Sequence, residues 1–179
     1  VLGAGSWATA IVKMLCENLS TIHWYMRSES IKEHLLTEKH NPNYLSSVEF
    51  HTEQLEISND INEVVEKADV LIFAIPSAFL HTELQKLNLD LSNKIIVSAI
   101  KGIVPESGLL VGEHFNESYN VPFDNIMVIA GPCHAEEVAL ERLSYLTISC
   151  HDQEKAKLLG KYLKVNYRKV ILSFDLMCF

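Results

Sequence analysis

Val1-Leu2-Gly3-Ala4-Gly5-Ser6-Trp7-Ala8 (V-L-G-A-G-S-W-A) is the stretch that decides the fold. Two apolar residues run into a G-x-G-x-x-A turn, and Ile11, Met14, Leu15 and Leu19 recur at helical spacing directly behind it. A strand hands over to a helix in this way when the helix N-terminus receives a dinucleotide pyrophosphate. Gly3 permits the tight turn, Gly5 removes a side chain where phosphate oxygens approach, and Ala8 lets helix and strand pack closely. Only Val1 and Leu2 precede the turn, where a strand of about five residues is usual. With no initiator Met, the chain reads as trimmed at its front end.

Outward from the turn, apolar runs alternate with helical patterns. Strands are predicted at residues 21–26 (T-I-H-W-Y-M), 56–58, 70–75 (V-L-I-F-A-I), 94–100 (K-I-I-V-S-A-I), 126–130, 145–150 and 167–172. Helices are predicted at residues 30–39, from Asn59 or Asp60 to about Lys67, at 77–87, 107–118 and 152–163, with Asn41-Pro42-Asn43 as a loop. Val/Ile-rich runs without polar alternation indicate strands covered on both faces of a parallel sheet. Alternation with helices gives βαβ units, hence an α/β, Rossmann-like, doubly wound and mostly parallel sheet. Residues 1–172 read as one domain whose first strand is cut short, and 173–179 as the stub of a connection.

Composition narrows the function. Fifteen Lys and Arg against 23 Asp and Glu leave a net charge of −8, which disfavours nucleic acid, since such binding needs a cationic surface. No apolar run reaches the roughly 18 residues of a membrane span. Cys16, Cys133, Cys150 and Cys178 lack C-x-x-C spacing and read as reduced thiols of a cytoplasmic protein. The histidines show no metal-ligand spacing. His134-Ala135-Glu136 behind Pro132-Cys133 shares letters with the zinc deaminases, but the order is reversed and the second cysteine is missing.

In open α/β sheets ligands lie beyond the carboxyl ends of the strands, near the point where strand order reverses. Those ends carry residues 3–6, Arg27-Ser28, Pro76-Ser77, Lys101-Gly102 and residues 131–134. Arg27 stands where an NAD site usually carries the carboxylate that binds the ribose 2′-hydroxyl. Its planar fork suits a 2′-phosphate, with Ser28 adding a hydrogen bond, or it can stack on adenine. NADPH is therefore favoured within a choice of NADP or NAD, the competing reading being a solvated Arg27 with Glu29 on the ribose. Lys101 is expected in the crevice beside the nicotinamide, where a cation can hold a substrate oxygen or phosphate. The acidic helix start Ala135-Glu136-Glu137 follows Gly131 and Cys133, and its free N–H groups suit an anionic substrate.

Taken in order, these pieces resemble the N-terminal domain of the NAD(P)-dependent glycerol-3-phosphate dehydrogenases in their bacterial biosynthetic form. The resemblance rests on G-A-G-S-W-A-T-A (3–10), W-Y-M-R (24–27), the 41–45 segment, A-D-V-L-I-F-A-I-P-S (68–77), A-I-K-G-I (99–103) and G-P-C-H-A-E-E-V-A (131–139). It implies reduction of dihydroxyacetone phosphate to sn-glycerol 3-phosphate for phospholipid synthesis, in the cytoplasm, and leaves room for a homodimer of the full-length protein. By matching position it implies that Gly3, Gly5, Ser6, Trp7, Arg27, Lys101 and Ala135 contact the cofactor. Lys101, Gly131 and Cys133 would contact the substrate. Cys133-His134 replaces the family's usual Ser/Thr-Phe, giving a weaker thiol contact, and Ala8 replaces the third glycine. The family's proton-transferring Lys and its helical C-terminal domain fall beyond Phe179, so no catalytic residue is assigned and these 179 residues are expected to bind dinucleotide with negligible turnover. The alternatives are a noncatalytic dinucleotide-binding module and a dehydrogenase of the 6-phosphogluconate or ketopantoate reductase type, against which the G-P-x-x-A-E segment argues.

Overall fold

Leu2 is the hub of the sheet. In the computed structural model, which describes residues 1–131, 134–166 and 168–173, Leu2 bridges Tyr25 on one side and Phe73 on the other, parallel to both. Its N–H donates to the Ile72 carbonyl and its carbonyl accepts from Ala74, each at 2.8 Å. To one side lie β1 (Ile22–Tyr25) and β2 (Leu55–Ser58). To the other lie β3 (Val70–Phe73), β4 (Ile95–Ser98), β5 (Ile126–Ala130), β6 (Ser144–Cys150) and β7 (Arg168–Ser173), in that order. Pairing is parallel except between β5 and β6. The chain winds outward from Leu2 to β1 and β2, then crosses back to β3. The reversal therefore falls between the glycine turn and the end of β3.

Helices cover both faces. Along β3 and β4 alternate side chains enter different cores: Leu71, Phe73 and Ile96 one, Ile72 and Val97 the other. That explains why these strands read as continuous apolar runs. One core is closed by α1 (Ser6–Cys16), α6 (Ala135–Ala139) and α7 (Gln153–Tyr162), together with Leu35 of α2 (Glu29–Glu38). The other is closed by α3 (Ile61–Lys67), α4 (Ser77–Leu84) and α5 (Val111–Tyr119). In α1, Ala8, Ile11, Val12 and Leu15 form the buried stripe that helical spacing requires.

Some element boundaries differ from the sequence reading, for local reasons. The fifth helix begins at Val111 instead of residue 107, because Gly108 takes a φ of 70° and its N–H folds back onto the Val104 carbonyl. That turn brings Leu110 into an antiparallel bridge with Ile103 before the helix starts. α4 stops at Leu84, where Lys86 and Leu87 fold back onto the carbonyls of Glu83 and Leu84 in tight turns. Asp60 caps α3, accepting from the Asn62 N–H at 2.8 Å. Asn59 instead holds the Met26 carbonyl at 2.6 Å. Of the expected connection at 173–179, only Ser173 lies within the described residues.

Candidate functional site

A cleft of about 340 Å³ opens at the reversal point. Gly3, Ala4 and Gly5 form one lip, residues 74–76 with Phe79 the other, and Tyr25, Arg27 and Ser28 close the side. The lips are made of backbone, and buried side chains hold that backbone in place. Trp24, fully buried, donates its indole N–H to the Gly3 carbonyl at 2.6 Å. Asn41, also fully buried, donates to the Ala4 carbonyl at 3.0 Å and to the Thr9 hydroxyl at 2.9 Å. Its carbonyl accepts from Asn43 and Tyr44, so it holds the 41–45 loop against the glycine turn.

The two glycines of the turn do different work. Gly3 has a φ of 123°, and a Cβ there would sit 2.4 Å from the Ala74 carbonyl oxygen, so the fold itself demands glycine. Gly5, the N-cap of α1, has an ordinary extended backbone, and a Cβ there would meet no described atom within 4 Å. No described side chain caps α1, and its first turn carries no acidic residue. The positive end of an 11-residue helix thus faces open space. That arrangement fits a pyrophosphate, whose oxygens would take the room a side chain would otherwise fill.

Arg27 stands just past β1 with its side chain 65% exposed. Its guanidinium carbon lies 5.4 Å from the centre of the Phe79 ring, and Nη1 lies 3.9 Å from Oε1 of Glu83. Glu83 is a buried carboxylate, with a side chain only 5% exposed. It accepts from the Tyr25 hydroxyl at 2.5 Å and from Lys86 Nζ at 2.9 Å. Burial alone would raise its pKa, but the hydrogen bonds from Lys86 and Tyr25 and the charges of Lys86 and Arg27 hold it below the usual carboxylate range. Burial, then the bond to Glu83, pushes the Tyr25 phenol upward. Ser28 is the N-cap of α2, accepting from the Ile31 N–H at 3.4 Å. Glu29 pairs with Lys32 at 3.1 Å.

The remaining sequence-predicted residues are distributed around this cleft. Ser6 and Trp7 open α1. Lys101 lies on the same rim of the sheet as the glycine turn, since the strands between them are parallel. It lines a separate cleft of about 290 Å³ with Ser98, Gly102, the start of α5 and residues 128–130 of β5. Gly131 has a φ of 143°, and a Cβ there would stand 2.6 Å from the Tyr145 carbonyl oxygen, so β6 already requires glycine at this point. Cys133 lies outside the described residues. Ala135 is buried at the start of α6, against the core shared with α1. Lys13 of α1 reaches the far end of α6, donating to Glu141 at 2.9 Å and to the Ala139 carbonyl at 3.3 Å. The structure thus unites Gly3, Gly5 and Arg27 in one cleft and places Lys101 in its neighbour.

Sequence reasoning passed over Asn41, Tyr25, Phe79 and Glu83. Phe79 and Glu83 were findable in principle, because their i, i+4 spacing puts an aromatic ring and a carboxylate on one face of a helix leaving the reversal point.

A sheet wound outward from a glycine turn in both directions, with helices on both faces and a cleft at the reversal, defines a Rossmann-like domain. The family model described as "NAD-dependent glycerol-3-phosphate dehydrogenase N-terminus" matches residues 1–156. The chain belongs to that family. It is 30% identical over 182 residues to the glycerol-3-phosphate dehydrogenase [NAD(P)+] of Limosilactobacillus reuteri, covering 99% of this chain and 54% of that protein. It is 34% identical over 161 residues to the enzyme of that name from Lysinibacillus sphaericus, covering 88% and 47%. The chain thus spans about half the length of the curated relatives it matches. Among solved structures, glycerol-3-phosphate dehydrogenase from Coxiella burnetii superposes with a TM-score of 0.83 at 24% identity, over 98% of this chain and 53% of that one. The Plasmodium falciparum enzyme gives 0.84 at 23%, over 96% and 50%. At these identities the superpositions speak to the fold.

Proposed function

We propose that this chain is the dinucleotide-binding part of an NAD(P)-dependent glycerol-3-phosphate dehydrogenase. The enzyme would interconvert dihydroxyacetone phosphate and sn-glycerol 3-phosphate. The observation that carries the reading is the unfilled space in front of Gly5, at the uncapped head of α1, in a cleft that also holds Arg27. Residues 1–172 form the binding domain. The bound nicotinamide dinucleotide, NAD or NADP, supplies or takes up the hydride.

The chain's own residues bind and orient. Gly3 shapes the turn, Gly5 leaves room for the pyrophosphate, and the opening N–H groups of α1, from Ser6 and Trp7 onward, face its charge. Arg27 takes the ribose 2′ end and favours the phosphorylated cofactor, with the Phe79 ring holding its guanidinium. Lys101, in the neighbouring cleft, holds a phosphate or carbonyl oxygen of the substrate and borders the nicotinamide. Gly131 and Cys133 contact the substrate, and Ala135 approaches the cofactor at the head of α6. None of these residues is assigned the proton of the reaction. The unpaired thiols of Cys16 and Cys150 suit the cytoplasm, and the net charge of −8 suits a protein that does not bind nucleic acid.

Titrating the 179-residue chain with NADH and with NADPH, following nicotinamide fluorescence, tests the reading. Binding of either with negligible turnover of dihydroxyacetone phosphate is expected, and Arg27→Ala should weaken NADPH more than NADH. Failure to bind either dinucleotide, or measurable reductase activity from this chain alone, overturns it.

A further inference from the structure

Glu83 carries a negative charge in the wall of a cleft whose expected ligand is an anion, and nothing in the proposed function uses it. The carboxylate is fixed in place: its side chain is 5% exposed, and it accepts from Tyr25 across 58 positions of sequence and from Lys86 in the turn just past α4. Such burial of an ionised group is costly unless its partners are well placed. Tyr25 binds Oε2 and Lys86 spans both oxygens, while Oε1 also faces Arg27 Nη1 at 3.9 Å. That separation is too long for a good hydrogen bond. The carboxylate therefore contributes its charge to Arg27 while leaving the guanidinium fork open.

We infer that Glu83 is a specificity-determining residue, anchored by Tyr25 and Lys86 beside Arg27 so that it restrains the preference for a 2′-phosphorylated dinucleotide. The inference rests on the reading that Arg27 faces the ribose 2′ position. A 2′-phosphate brought to Arg27 meets the Glu83 carboxylate as a like charge competing for the same guanidinium. A 2′-hydroxyl is neutral and meets no such opposition. Arg27 and Glu83 together thus let one site accept both cofactors, although no carboxylate stands at the end of β1, where an NAD site ordinarily carries it. Here the carboxylate arrives from α4 instead.

The test is the ratio of NADPH to NADH affinity at low ionic strength, measured on the chain and on Glu83→Gln, Arg27→Ala and Lys86→Ala. The ratio is the informative quantity, because a merely structural role for Glu83 weakens both cofactors alike. Glu83→Gln keeps the shape and an acceptor for Tyr25, and should raise the ratio about fivefold, the size expected for relieving one like-charge contact near a surface. Lys86→Ala leaves Tyr25 donating to the buried carboxylate, so its folding is verified by denaturant unfolding before the ratio is read. Removing it leaves Glu83 less neutralised and should lower the ratio about twofold. An Arg27→Ala ratio below wild type, with Glu83→Gln unchanged or lower, overturns this inference and leaves the Arg27 reading standing. Should Glu83→Gln not fold, an unchanged ratio in Lys86→Ala overturns it equally. An Arg27→Ala ratio equal to wild type overturns the Arg27 reading, and this inference with it.

Discussion

The two clefts on the carboxyl rim of the sheet are built in different ways. At the first, the glycine lip is backbone and is tied down, Gly3 by Trp24 and Ala4 by Asn41, while Asn59 holds the Met26 carbonyl at the end of β1. At the second, the chemistry rests on Lys101, an exposed side chain on a short turn, flanked by the exposed apolar side chains of Ile103 and Phe123. The first is a preformed receptor for one shape, and rigidity is what a pyrophosphate and a ribose need. The second offers a charge and an apolar rim with little to fix their geometry. This contrast accords with the proposal that the dinucleotide binds in the first cleft and that the substrate is positioned in the second.

The largest test separates the glycines within the first cleft. Gly3→Ala combines a positive φ with a Cβ driven onto the Ala74 carbonyl, and should cost roughly 3 kcal/mol or more of folding stability, read from denaturant unfolding. Gly5→Ala meets no described atom. It should cost less than about 1 kcal/mol of stability while weakening NADH binding about tenfold or more, as a methyl group takes space meant for phosphate oxygens. If Gly5→Ala binds NADH as well as the parent chain does, the first cleft is not a pyrophosphate site.

Asn41 tests whether the first cleft is held together from behind. Asn41→Ala leaves the Ala4 carbonyl without its donor and frees the loop that carries Asn43 and Tyr44. A loss of about 2 kcal/mol is expected, together with weaker binding of both cofactors in equal measure. Equal weakening marks a residue that shapes the lip, in contrast to Arg27, which should discriminate between the cofactors.

What the sequence disclosed divides along a physical line. The apolar strands and the glycine turn were legible because their cause is local: period, φ freedom and burial are written in consecutive residues. The tight turns after α4 and before α5 blurred boundaries by a few residues, since Gly108 alone does not announce that Leu110 will bridge Ile103. Arg27 was legible because position past a strand implies exposure on the rim. Asn41 read as a loop breaker, and its role as a clamp became visible only when Ala4 and Thr9 stood beside it, 37 and 32 positions away. The pairing of Tyr25 with Glu83 likewise has no spacing rule to reveal it. Ser28 carries a role the strand-end reading did not name: its hydroxyl caps α2 as an acceptor, which is compatible with donating its own O–H.

Lys101 is the direct probe of the second cleft. Because it lines that cleft and not the first, Lys101→Ala should change NADH affinity by no more than about threefold, well below the effect of Gly5→Ala. A larger loss would mean that the two clefts act as one site when the dinucleotide is bound, and the division drawn above would fall.

The smallest expected effect concerns pH, and it belongs to α5, whose first residues wall the second cleft. His114 of that helix is buried, and its Nε2 has no hydrogen-bond partner among the described residues. Burial, followed by the nearby charge of His81, lowers its pKa from the ordinary 6.5. The unfolded chain therefore takes up the proton first as pH falls. The stability that neutral His114 provides is complete above 6.5 and declines as pH drops through the folded-state value. The decline should appear as a lower denaturant midpoint at pH 5.5 than at pH 7.5, and His114→Phe should flatten that difference. A midpoint difference that His114→Phe leaves intact would show that a group other than His114 carries the pH dependence.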